Sequence, residues 1–80
     1  MASPEALRRV RDLLFRELVL PGNTGFWEVG IGNGEVILYF DRSRAKRVVN
    51  VQSTYAINGE TVKMKIVETR MPRALTQRST

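Results

Sequence analysis

The sequence predicts a small α+β domain: an N-terminal helix packed on an antiparallel meander, in the order α-β-β-β-β. Three observations predict it. Ser3-Pro4-Glu5 opens a stretch with helical apolar period, and Asn33-Gly34 and Asn58-Gly59 each sit between runs rich in Val, Ile and aromatics. Asn-Gly favours the tight type I′ hairpin turn, because both central residues need positive φ and these two reach it at least cost. Finally, eighty residues with 42% hydrophobic content suffice for one domain with a modest core.

The helix is predicted over residues 4–20. Ser3 is the N-cap, Pro4 takes the first helical position, and Glu5 places an acid in the first turn. Leu7, Val10, Leu14 and Leu18 follow on one face, with Ala6 and Leu13 widening the stripe. Glu5–Arg9, Arg8–Asp12 and Asp12–Arg16 are i,i+4 pairs on the outer face. Pro21-Gly22 ends the helix near Leu20.

Phe26 to Ile31 and Val36 to Asp41 form the first hairpin. Alternation places Trp27, Val29 and Ile31 on one face, and Phe26, Glu28 and Gly30 on the other. In the second strand Val36, Leu38 and Phe40 alternate with Ile37 and Tyr39, so both faces are apolar. That pattern implies a central strand covered on both sides, or a face that meets a partner. Gly30 and Gly32 within the strand mark a bulge or a close approach of the helix. After a basic connection at 42–47, Val48 to Ile57 reads as a third strand, with Val49, Val51, Tyr55 and Ile57 on one face. Residues 43–50 read alternatively as a short helix capped by Ser43, giving α-β-β-α-β. Thr61 to Thr69 is a fourth strand, with Val62, Met64 and Ile66 inward and Lys63 and Lys65 outward. Short connections make sequential strands neighbours. The segment Gly32-Asn33-Gly34-Glu35-Val36 loosely recurs as Ile57-Asn58-Gly59-Glu60-Thr61-Val62. The first hairpin is apolar on both faces and the second is two-sided, which argues against a duplicated hairpin. The domain is placed at 1–69 and a basic, mobile tail at 70–80.

Composition restricts the chemistry. The chain has no cysteine and no histidine, so disulfides, thiolate zinc sites, thiol nucleophiles and imidazole bases are absent. The lack of cysteine fits a cytoplasmic location, and no apolar run reaches the roughly 20 residues of a membrane helix. The net charge is +5, but Arg70, Arg73 and Arg78 lie in the tail, leaving ten cations against eight acids elsewhere. Arginine outnumbers lysine ten to three, which favours forked contacts to phosphate or carboxylate.

A series of residues carries a family resemblance. Leu20-Pro21-Gly22, Val29-Gly30-Ile31-Gly32, Asn33-Gly34 and Val36-Ile37-Leu38-Tyr39-Phe40 are followed by Ile57-Asn58-Gly59, Thr61-Val62, Val67-Glu68-Thr69 and Arg73-Ala74-Leu75. Over residues 5–75 this resembles the small helix-hairpin-strand module found N-terminal to some bacterial trypsin-like proteases and as a stand-alone protein. The module carries a helical segment between its second and third strands, matched here at most by 43–50. It has a small apolar pair where this chain has Asn23-Thr24, and no equivalent of Phe26-Trp27. The resemblance implies the fold and no catalytic residues, because those of such proteases lie in a downstream domain.

Candidate sites follow from the faces. Phe15 and Val19 lie off the main helical stripe and, with Trp27 and Tyr39, make an apolar patch for a protein partner or a second copy of the chain. Arg42, Arg44, Lys46 and Arg47, with Lys63 and Lys65, make a basic surface on which Tyr39 and Tyr55 offer stacking platforms for single-stranded nucleic acid. Glu28 and Glu35 face each other across the first hairpin, a carboxylate pair without the pocket that acid–base work requires. The glycines of Gly30-Ile31-Gly32-Asn33-Gly34 precede a strand, whereas a phosphate-cradling loop precedes a helix. The chain is therefore read as a non-catalytic protein-interaction or self-association module, with small nucleic-acid binding as the alternative. No enzyme activity, metal, cofactor or small-molecule substrate is inferred.

Overall fold

The computed structural model describes residues 2–72. The tail assigned to 70–80 falls mostly outside them. One helix precedes four strands: α1 (Pro4–Leu14) runs directly into a π-helical turn at Phe15–Val19, followed by β1 (Thr24–Gly32), β2 (Glu35–Ala45), β3 (Thr54–Ile57) and β4 (Glu60–Glu68). This is the α+β fold that the sequence implies.

Ser3 caps α1, its Oγ accepting from the Ala6 amide at 3.2 Å. The same residue joins the helix to the second hairpin. Its amide donates to Glu60 Oε1 at 2.7 Å and its hydroxyl to Glu60 Oε2 at 3.0 Å. At the other end the Leu20 amide reaches back to the Phe15 carbonyl, an i→i+5 bond that puts an extra residue into the last turn. Thr24 Oγ1 donates to the Leu18 carbonyl and satisfies one acceptor that this turn leaves open.

Both Asn-Gly pairs form the expected turns, with φ of 53° and 73° at Asn33 and Gly34 and 49° and 76° at Asn58 and Gly59. The strand order is not that of a meander. The sheet runs β1-β2-β4-β3, and β2 and β4 are parallel, with Val36 opposite Met64 and Phe40 opposite Glu68. β4 joins its neighbours end to end: Glu60 to Lys63 pair with β3, and Met64 to Glu68 pair with β2. The four-residue β3 exposes Thr54 and Ala56 and suits an edge. The third strand is correspondingly short. Residues 46–53 take neither strand nor helix and form the first part of the crossover that parallel neighbours require.

β1 holds a second departure. Phe26 pairs with Phe40 and Glu28 with Tyr39, so two residues of β1 oppose one of β2 and Trp27 has no partner. This β-bulge shifts the alternation by one. Phe26 and Val29 both face the helix and are buried, while Trp27 turns to the opposite face. Ala6, Leu7, Val10, Leu14 and Leu18 of the helix meet Phe26, Val29, Val36, Leu38 and Val62 of the sheet in one core cluster.

Candidate interaction surfaces

The helix covers one face of the sheet. On the other, Tyr39 and Ile37 of β2 lie between Trp27 of β1 and Val67 of β4, all four half-buried. The Trp27 and Tyr39 rings sit 5.4 Å apart at a tilt of 37°. Gly30 and Gly32 make this face possible. A Cβ at Gly32 would lie 2.9 Å from Ile37 Cδ1, and one at Gly30 3.6 Å from the Tyr39 ring. The two glycines thus leave β1 open for the large β2 side chains to lie across it, and do not mark an approach of the helix. Trp27 is fixed by its indole N–H, which donates to the Thr69 carbonyl at 3.0 Å. Lys63, Lys65 and Glu28 stand exposed around this apolar centre.

Phe15 and Val19 pack against the core cluster on the helix side of the sheet. The core therefore takes up the flank that a uniform 3.6-residue period assigns to them. They do not share a patch with Tyr39. Val19 and Trp27 do border one small hollow of about 100 Å³ at the start of β1, together with Arg44 and Met71.

The six candidate cations are not gathered on one surface. Arg42 is committed: its Nε and Nη2 donate to the two Glu68 oxygens, each at 3.0 Å, and its guanidinium stands 6.0 Å from the Phe40 ring centre. The Glu68 hydrogen bond raises the Arg42 pKa, and the same bond lowers that of Glu68. Arg47 donates from Nε to Asn23 Oδ1 at 3.1 Å. Arg44 adds a favourable charge near Asp41, and Lys46 is exposed. Lys63 and Lys65 flank the opposite end of β2, where Lys65 pairs with Ile37. At ~3.3 Å per residue, roughly 17 Å of β2 separates that level from Arg42.

Asp41 is buried and fully used. It accepts from the Ser43 hydroxyl at 2.6 Å, the Ser43 amide at 3.0 Å and the Met71 amide at 3.0 Å. These bonds, the Ser43 hydroxyl first, hold its carboxyl below the ordinary range. The Glu28–Glu35 pair does not form. Glu28 lies opposite Tyr39 and Glu35 opposite Gly32, four positions and about 13 Å apart along β1. Glu28 instead accepts from the Val29 amide at 3.0 Å. The two-residue turn makes Gly32 and Glu35 a hydrogen-bonded pair, so by alternation the Val29 amide faces the free edge of the sheet. Glu28 therefore blunts that edge with a charge. Among the described residues no three Asp or Glu side chains converge as metal ligands.

A further feature on the helix side leaves no trace in the residue pattern. Along β4 the core-facing side chains become progressively uncovered: Val62 is fully buried, Met64 is half-buried and Ile66 is 48% exposed. The helix stops short of this end of the sheet. The gap is a groove of about 370 Å³ lined by Phe26, Phe40, Ala45, Val49 and Ile66, with the exposed Val48 at its edge. Arg42, Arg47 and Glu68 stand at its mouth. Reading 48–57 as a strand hid it, since the irregular 46–53 segment supplies part of the lining.

No known protein family, curated protein or solved structure matches the chain.

Proposed function

We propose that this chain is a non-catalytic interaction module that docks a protein surface, either a second copy of itself or another protein, through the helix-free face of its sheet. One observation carries this reading. Trp27, Ile37, Tyr39 and Val67 form a continuous apolar stripe over three strands, and among the described residues no second layer covers it. Two-layer folds bury one sheet face on the helix, and an apolar opposite face marks a contact. The exposed Lys63, Lys65 and Glu28 supply the polar rim of such a contact. Sedimentation equilibrium tests the self-associating form. A mass that rises with concentration, and that Ile37→Lys returns to the monomer, supports it. A monomeric mass at every concentration removes a second copy and leaves a foreign protein as the partner.

A second reading rests on Lys63, Lys65, Trp27 and Tyr39 sharing that face, an arrangement that also suits single-stranded nucleic acid. Its scale is set by the two lysines. Binding through them alone gives a log–log salt slope of about −1.4, against about −4 if all six candidate cations took part. An electrophoretic shift assay at two salt concentrations separates this reading from apolar docking, which salt leaves intact or strengthens. No shift at low salt removes it.

A further inference from the structure

The groove at the end of the helix layer lies on the opposite side of the sheet from the proposed docking face, and its case is independent of that reading. The geometry points to a binding site for a small amphiphilic carboxylate, an apolar chain or ring bearing one anionic head. Three observations define the ligand. The groove, at about 370 Å³, falls within the range of small-molecule sites, and its lining is largely apolar. Ile66 in the groove is 48% exposed and Val48 at its edge 91% exposed, so two large aliphatic side chains stand in water where an apolar body would cover them.

The third observation is charge. Of the two guanidinium groups at the mouth, Arg42 spends Nε and Nη2 on Glu68. Arg47 is held only through Nε, by Asn23 Oδ1. Among the described residues no carboxylate pairs with Arg47. Its terminal nitrogens therefore remain for a planar anion, and a carboxylate matches that fork. With Glu68 neutralising Arg42, the mouth carries one uncompensated positive charge. One charge at the rim and an apolar interior select one negative head on one apolar body.

Titration of the isotope-labelled full chain with octanoate and with octanol, followed by amide NMR shifts, tests the assignment. Saturable shifts centred on Val48, Val49 and Ile66 are expected for both compounds, with octanoate about fivefold tighter, the upper size of a solvent-exposed charge pair. Arg47→Gln brings octanoate to the octanol value and leaves octanol unchanged, whereas Ile66→Thr weakens both. Both side chains are substantially exposed, and matching spectra of the unliganded variants verify the fold. Absence of saturable shifts below the micelle concentration of octanoate and the solubility limit of octanol, shifts centred on Trp27 and Tyr39, or equal affinity for octanoate and octanol would each overturn the assignment. So would an octanoate preference that survives Arg47→Gln.

Discussion

The Trp27 indole N–H donates to the Thr69 carbonyl at 3.0 Å, joining the β-bulge of β1 to the residue that follows β4 across β2. The bulge places Trp27 on the helix-free face, and this bond with the Tyr39 ring holds it there. Trp27→Phe keeps the ring contact and removes the donor, so it is expected to cost about 0.5–1 kcal/mol, the low end for an exposed hydrogen bond. Trp27→Ala also removes the aromatic pair and the half-buried ring's apolar contact, and is expected to cost about 2 kcal/mol more. Urea unfolding of the three chains measures both steps.

Gly25 and Gly22 separate backbone strain from collision. Both have positive φ, 89° and 76°. A Cβ at Gly25 would lie 2.5 Å from Phe40 Cε1 and 2.9 Å from the Asp41 carbonyl, whereas one at Gly22 meets nothing within 4 Å. Gly22→Ala is expected to cost about 1 kcal/mol from the left-handed backbone alone. Gly25→Ala adds overpacking and is expected to cost about 3 kcal/mol. Thermal or urea melts compare the pair directly.

Ser3 is both helix cap and anchor to Glu60, so the helix start and the second hairpin are coupled. Ser3→Ala is expected to cost about 1 kcal/mol and Glu60→Ala a similar amount. The double variant should lose less than the sum by at least about 0.5 kcal/mol, as residues in one hydrogen-bonded network do. A double-mutant cycle in denaturant gives the coupling.

Stability should fall in acid, with a sign set by two carboxylates. Hydrogen bonds from Ser43 and Met71 depress Asp41, and the Arg42 guanidinium depresses Glu68. Because both bind protons more weakly folded than unfolded, their contribution is fully present above the ordinary carboxylate range. It is lost as pH falls through their depressed folded values. Asp41→Asn should give a shallower acid decline of the urea midpoint than the unsubstituted chain.

Local chemistry was legible in the sequence and long-range competition was not. The Ser3-Pro4 cap, the Leu7–Val10–Leu14–Leu18 stripe and both Asn-Gly turns are written in a few adjacent residues, and all form. The order β1-β2-β4-β3 rests on β4 outrunning its hairpin with β3, so that Met64 to Glu68 pair with β2, and no turn residue encodes that long-range pairing. The bulge left one trace: Phe26 and Val29 are apolar at a spacing of three, which fits a shared buried face only if Trp27 is extra. The π turn has no residue signature at all. Val49 and Val51 pack toward the core as alternation implies, yet outside any strand, so the pattern gave the inward face and missed the crossover.

Site-specific photo-cross-linking in the cells that make the chain reads out whether the helix-free face meets another protein. A photoreactive residue replaces Lys65 on that face and, separately, Arg8 on the outer side of α1, both exposed. A discrete cross-linked species is expected from position 65, lost when Ile37→Lys is added, and none from position 8. No discrete product from position 65, or equal products from both, would contradict docking through this face.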